Sequence, residues 1–582
     1  MLPVLSGSSY VPSTPSRRSF VALSALAGLG LPVLAGCDLP GVSKDKGGAA
    51  SPAGSQAGGS ASAGGSATAT AGSTKAGSTE WQKLDAHIMG HNVTVEVSPV
   101  IRQDEKTSII ALRLTRAKDD ASIDAVNAHP FSDNGNKVIF SSYLGAPSIY
   151  RPGTGASLVK LLDLGSGRVW SATDGSGTDN NGYLEITPGE KATSHLSFGK
   201  VDTDTVTVMV PMAGFTTVAV LEADAAKKAS IDLDAASSNL DQFPDAATEL
   251  AKPATIERYT RALDDSTSTH TGDKDVTVTL ASDVTFASDS ADLTPAADTQ
   301  LQTVADQLDQ YPDGGTLAIV GHTDDVQDDA YNQPLSDKRA NAVKTKLQQL
   351  TDLDKWNPTT TGKGESEPRV KDTTDEARAA NRRVEITLTP TGGTNPKDSN
   401  TTATPSNGSG GGKLPDPQGP VAKGSKGVTL TSKDTDTSSK VTITLDHLTR
   451  QDGYLLGTIT CTIKDGSTGA PLHPLLEDPQ TLLANQRDES GSALPTFNAS
   501  DGLTLIAGGE RIFPADYLDA DAEHHLPLTE LNISDHLKTG TTTICTIWPD
   551  PGGDTVTLDH PEGKYSPKGT AYRLTNIPIK DS

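Results

Sequence analysis

Two low-complexity stretches limit what this chain can fold into more than any motif does. Residues 38–80 are almost entirely Gly, Ala, Ser and Thr, and residues 391–427 return to Gly, Thr, Ser, Pro and Lys. Such side chains bury too little apolar surface to offset the entropy of ordering the backbone, so both stretches read as flexible tethers. The first would span roughly 35 Å root-mean-square. The remainder must fold as separate units, and 582 residues are in any case too many for one core. The 55 glycines, 36 prolines and only 4% aromatics fit modest globular units. A formal charge of −25 argues against a nucleic-acid partner, which calls for clustered Lys and Arg.

Residues 1–37 read as an export signal. Ser16, Arg17, Arg18, Ser19 and Phe20 have the twin-arginine pattern, and the apolar run from Phe20 to Val33 is too short to span a bilayer. Leu34, Ala35, Gly36 and Cys37 resemble the lipobox of bacterial lipoproteins, which implies lipidation of Cys37. Two acyl chains at about 0.8 kcal/mol per buried methylene would make a stable membrane anchor.

Residues 81–234 alternate as strands do. Val93, Val95 and Val97 interleave with Thr94 and Glu96, and Ile110, Leu112 and Leu114 with Ala111 and Arg113; Val206, Val208 and Val210 follow the same rule. An immunoglobulin-like sandwich is the expected fold. Residues 428–582 repeat it: VTVEVSPVIRQD from Val93 aligns without gaps on VTITLDHLTRQD from Val441, and DTVTV from Asp204 returns as DTVTL from Asp554. Cys461 and Cys545 both fall in this second sandwich, and in an exported protein the pair reads as a disulfide. No His or third Cys stands at a spacing suited to a metal. Residues 235–273 read as a connector with a helical pattern from Ala246 to Leu263.

Residues 274–390 carry the chemistry. Leu317, Ala318, Ile319 and Val320 form a continuous apolar run ending at Gly321, the pattern of a strand buried on both faces. Asp324 follows that strand. Arg339 falls in the first turn of a helix expected to open at Pro334, Leu335 and a capping Ser336, where a cation opposes the macrodipole and an anionic ligand would explain it. Such a crevice suits a zwitterion, the carboxylate taking an ammonium and the guanidinium a carboxylate. The plainer alternative is a surface ion pair between Asp324 and Arg339, worth at most about 1 kcal/mol. His322 is expected to be structural, because no Ser or Cys nucleophile motif accompanies it. Asp324 and Asp325 should point apart, and Arg382 and Arg383 should divide between crevice and solvent. Thr294 and Pro295 announce a helix whose apolar face is Leu301, Val304, Ala305 and Leu308, and Val384, Ile386 and Leu388 alternate as the last strand.

GHTD ending at Asp324, then Asn332, LSDKRANAV, GKGESEP from Gly362 and ARAANRRVEI from Ala377 stand in the order of a known family. From about Val276 to Leu388 the chain resembles the OmpA-like peptidoglycan-binding domain. The resemblance implies an α/β domain with helices on one face of a mixed sheet. It also implies that Asp324 and Arg339 hold the amino and carboxyl groups of diaminopimelate in the peptidoglycan stem peptide, assisted by Asn332 and Arg382. One departure stands out: many members have a glycine shortly after the aspartate, and this chain has Gln327 within the acidic run Asp325, Asp328 and Asp329.

The expected protein is an exported, lipid-anchored, non-enzymatic envelope component facing the cell wall, with no cofactor and no metal. Its partners would be peptidoglycan and, through the lipid, the membrane. The alternative is an adhesion or assembly protein whose sandwiches bind a protein or glycan, the central domain serving as its wall anchor.

Overall fold

The computed structural model describes residues 77–126, 138–140, 159–172, 185–236, 250, 252–394, 414–431, 439–464, 469–477, 499–518, 525–531, 536–562 and 569–582. The export signal, Cys37 and nearly all of the first tether lie outside the described residues. What is described is mostly β, with few helices and a large mixed sheet. No helix among the described residues is long and apolar enough to cross a membrane.

The alternating residues of the N-terminal β lobe point inward as expected: Val93, Val95, Val97, Ile110, Leu112, Leu114, Val206, Val208 and Val210 are all buried. Strands Gln82–Ile88, His91–Val97, Thr107–Arg116 and Lys191–Gly199 pair antiparallel in that order. The C-terminal lobe repeats this ladder. Lys440–Thr444 pairs with Tyr454–Ile463, which pairs with Gly540–Pro549. Even the exceptional parallel contact recurs: Val100 opposite Val220 in one lobe, Leu448 opposite Ile579 in the other. The repeat seen in the two short sequence matches therefore extends to strand pairing. Val421–Lys423, inside the stretch read as the second tether, forms a strand alongside Arg573–Thr575.

The two lobes do not stand apart on either side of the central domain. Their inner faces merge into one apolar core that joins Val95, Leu112 and Trp170 to Val441, Leu455 and Trp548. Gly90 donates its N–H to the Thr541 carbonyl at 3.0 Å. The backbones come so close that a Cβ on Gly540 would stand 2.9 Å from the Gly90 Cα. Glu530, 1% exposed, lies between the lobes. Its Oε1 accepts the N–H of Met212 at 2.7 Å from one lobe and of Cys545 at 3.0 Å from the other.

The expected disulfide does not form, and both cysteines are free and buried. Cys545 stands opposite Thr458, three positions along the ladder from Cys461. That offset separates the two Cα atoms by roughly 10 Å along the strand, beyond the ~7 Å reach of a disulfide, and an odd offset sends the thiols to opposite faces. Cys461 packs in the shared core, Cys545 in a second apolar cluster with Leu456 and Ile547.

The helical pattern at Ala246 to Leu263 also gives way. Ala254–Ala262 is a strand, here β1, and all three lobes pair with it. Ala254 faces Val169 of the N-terminal lobe, Ile256 faces Tyr517 and Thr260 faces Ile512 of the C-terminal lobe, and Arg258 to Arg261 pair with Ser268 to Thr271. Ladder bonds on both edges outweigh a weak local helix propensity.

The central domain continues from β1 through β2 (Thr267–Thr271), β3 (Val276–Ala281), the one-turn α1 (Ser282–Thr285), α2 (Pro295–Asp309), β4 (Gly315–Gly321), α3 (Asp329–Leu350), β5 (Trp356–Gly362), α4 (Asp375–Asn381) and β6 (Arg383–Pro390). The sheet order is β1-β2-β3-β6-β4-β5, antiparallel except for β4 and β5. Thr294 caps α2 by accepting the Ala297 N–H. Leu301, Val304 and Leu308 of α2 and Ala340, Val343 and Leu347 of α3 cover one sheet face with Leu317, Ile319, Val384, Ile386 and Leu388. β4 is not buried on both faces: Leu317 and Ile319 are buried, but Ala318 and Val320 are only half-buried, because the helices cover one face.

Two outcomes follow. Burial pushes the Glu530 carboxyl up from 4.5 to about 7. The folded chain therefore holds a proton that the unfolded chain has lost, and this contribution to stability is complete below pH 4.5 and fades as pH rises through 7. Comparing wild type with Glu530→Gln cancels the opposite slopes of His322 and His560, which burial holds down at about 4. In denaturant titrations the advantage of Glu530 over glutamine should shrink by about 3 kcal/mol between pH 4.5 and 8. A pH-independent difference would show that this carboxyl does not titrate there. Second, alkylation of the unreduced, denatured chain should label both Cys461 and Cys545; a Cys461–Cys545 cross-linked peptide would contradict the strand register.

Candidate functional site

The site forms where β4 ends, in a groove between α1, the start of α3 and the end of α4. His322 and Thr323 leave the strand buried, their N–H groups donating to the carbonyls of Arg383 and Gly364, both at 2.9 Å. Asp324 comes next, its side chain only 14% exposed. Its Oδ2 accepts Arg382 Nη1 at 2.6 Å, and its Oδ1 accepts only a long 3.3 Å bond from the Val326 N–H.

Arg382 is committed elsewhere as well. Its Nε and Nη2 bind both oxygens of Asp283 at 2.7 and 2.6 Å. The Asp283 hydrogen bonds raise its pKa further, and the guanidinium stays charged between two carboxylates. Arg382 therefore orients Asp324 and has little left for a ligand. Sequence reasoning missed Asp283, whose one visible signal is an acid in the first turn of a very short helix.

Arg339 is held differently. Its side chain is 5% exposed, its Nε donates to the Ser290 carbonyl at 3.0 Å, and its guanidinium carbon stands 5.1 Å from the centre of the Phe286 ring. Desolvation lowers its pKa, against the pull of Asp283 and Asp289. No ion pair with Asp324 forms within 4 Å, so the plain surface-pair alternative fails. Among the described residues nothing takes up its two terminal nitrogens. They are a fixed fork of donors beside an aspartate with one under-used oxygen.

The helix carrying Arg339 starts earlier than expected. Asp328 caps it by accepting the Tyr331 N–H at 3.0 Å, and Pro334 lies inside α3. Proline in the second turn forgoes one intrahelical bond, to the Ala330 carbonyl. Arg339 thus sits roughly three turns in, beyond the reach of the N-terminal dipole. Its position on the helix therefore gives no reason for a cation here, and its terminal donors stay unused among the described residues.

Asn332 is 2% exposed, and its Nδ2 reaches the carbonyls of Asp324 and Gln327 at 3.2 and 2.7 Å and Glu365 Oε2 at 2.8 Å. It braces the loop that presents Asp324. The acidic run has local uses: Asp325 pairs with Arg378 at 2.7 Å, away from Asp324, Asp328 caps α3, and Asp329 lies in its first turn. Arg383 does not face solvent; it is buried and paired with Glu385 at 2.7 Å. His322 is buried with neither ring nitrogen hydrogen-bonded among the described residues, and burial, then Arg383, lowers its pKa to about 4. A neutral ring without a bonded partner suits packing.

Most of this groove lies within a stretch that is similar to known proteins. The OmpA family matches residues 285–382. Outer membrane porin F of Pseudomonas aeruginosa is 41% identical over 103 residues, 18% of this chain and 29% of that protein. YfiB of Escherichia coli K12, named as a lipoprotein, is 37% identical over 111 residues, 19% of this chain and 68% of YfiB. The chain spans less than a third of the porin's length. Among solved structures, the cell wall anchor of the T6SS from Pseudomonas aeruginosa is 29% identical with a TM-score of 0.20, covering 22% of this chain and 88% of that one.

Asn332→Ala removes the brace of residues 324–328 at a local cost of about 1–3 kcal/mol. Hydrogen exchange of those amides should accelerate about 5- to 150-fold. Unchanged exchange would mean that the loop holds itself.

Proposed function

The chain belongs to the OmpA family through residues 285–382, and from that premise we propose that it binds peptidoglycan non-covalently, as an envelope protein linking membrane to wall. In this reading Asp324 takes the ammonium and Arg339 the carboxylate of the stem peptide's diaminopimelate. Arg382 and Asp283 set the Asp324 carboxylate, and Asn332 sets its loop. The observation that carries this reading is the Arg339 fork, fixed by Ser290 and Phe286 and left without an acid partner beside Asp324. A rigid guanidinium with free terminal donors is preorganised for bidentate carboxylate binding. Cys37 carries the lipid, and the first tether lets the folded part reach the wall. The β lobes, immunoglobulin-like in this reading, form the body that holds the binding domain. Each charged contact contributes about 1.5–3 kcal/mol, so a single stem peptide is held weakly. A tethered protein facing a repeating polymer rebinds before it diffuses away.

The purified chain should pellet with insoluble diaminopimelate-type peptidoglycan, and Asp324→Ala or Arg339→Ala should weaken this by roughly 10- to 150-fold. Lysine-type peptidoglycan lacks the second carboxylate, so wild type should bind it about as poorly as Arg339→Ala binds the diaminopimelate form. Pelleting retained by both variants would refute the site.

A further inference from the structure

A cavity of about 350 Å³ opens where the three lobes meet, far along the sheet from the Asp324 groove. Thr255 and Arg258 of β1, the turn containing Asp273 and Lys274, the backbone around Gly393 and, from the C-terminal lobe, Tyr454 line it. The chain carries 74 acids against 49 Lys and Arg, so a cation near this junction has acids to choose from. Its neighbours have chosen: Arg168 pairs with Asp163 and Asp202, Arg261 with Asp265, and Arg450 with Asp550. Arg258 and Lys274 pair with no carboxylate within 4 Å among the described residues, although Asp273 shares their cavity.

Arg258 sits between lobes. Burial raises the phenols of Tyr454 in the C-terminal lobe and Tyr311 in the central domain, and the Arg258 charge pulls against both shifts. A half-buried guanidinium without an acid partner is under-compensated, and an entering anion would supply what the protein does not. The cavity lies at the small end of ligand pockets and is several times larger than one oxyanion needs. The Thr255 hydroxyl and main-chain carbonyls of the two turns offer hydrogen bonds to the remainder of a polar ligand, whereas the Ser166 hydroxyl is already held by Asp163 and Arg168.

We propose that this junction binds a small sugar bearing an oxyanion, either phosphate or carboxylate, through Arg258 and Lys274. Because three lobes contribute the walls, an occupant bridges them and stabilises their arrangement by mass action. This inference does not depend on the wall-binding reading, since none of its residues belongs to that groove.

Calorimetric titration of the full chain with glucose 6-phosphate, glucuronate and uncharged glucose tests it. Saturable binding of at least one charged sugar is expected, and which one identifies the oxyanion. Arg258→Gln should weaken it at least tenfold, Lys274→Gln several-fold, and Asp273→Asn should strengthen it by removing the competing acid. No binding of either charged sugar overturns the proposal, as does equal binding of glucose or undiminished binding to Arg258→Gln in a variant whose circular dichroism is unchanged. The same variants should pellet with peptidoglycan as wild type does, which separates failure here from failure of the wall-binding site.

Discussion

The hydrogen-bond ladder of the strand Ala254–Ala262 is the constraint on which the rest of this structure depends. One strand supplies edges to the N-terminal lobe, the C-terminal lobe and the central sheet at once. Each backbone N–H and C=O it brings indoors must find a partner, so the positions of the three neighbours are coupled through the register of nine residues. Its side chains add to this, Ile256 joining the apolar cluster that holds Val169 and Tyr517. A domain hung on such a strand is oriented, in contrast to one hung on a Gly-rich tether.

The two β lobes explain why that strand can exist. They share the same strand ladder and the same parallel contact, yet they also share one core, so the repeat behaves as a pair closed on itself, with the central domain inserted between its halves in sequence. Glu530 is the unusual member of that interface. A carboxyl in an apolar interface is normally a cost, but here it accepts two N–H groups from different lobes that would otherwise be buried without partners.

In the groove, the four charges have divided their labour. Arg382 is neutralised twice over and serves to aim Asp324, whereas Arg339 is stiffened by a carbonyl and an aromatic face that leave its charge available. Partial burial sharpens both effects, because charge–charge interactions strengthen as water is excluded. For the proposed binding, this geometry is set before any ligand arrives.

Much of this was legible in the chain itself. The period-two runs located the strands of both β lobes, the Thr294–Pro295 cap and the Leu301–Leu308 face located a helix, and the motif order that resembles the OmpA-like domain pointed to the groove around Asp324 and Arg339. These are local properties, fixed by side chains a few residues apart or by motif order. The register that parts Cys461 from Cys545, the strand in place of the helix at Ala254–Ala262, the cap at Asp328 ahead of Pro334, and the exchange of partners that gives Asp324 to Arg382 are of another kind. Each depends on which distant segment lies alongside. Pairing across a sheet or a groove is decided by the packing of whole lobes, and no window of neighbouring residues contains that information.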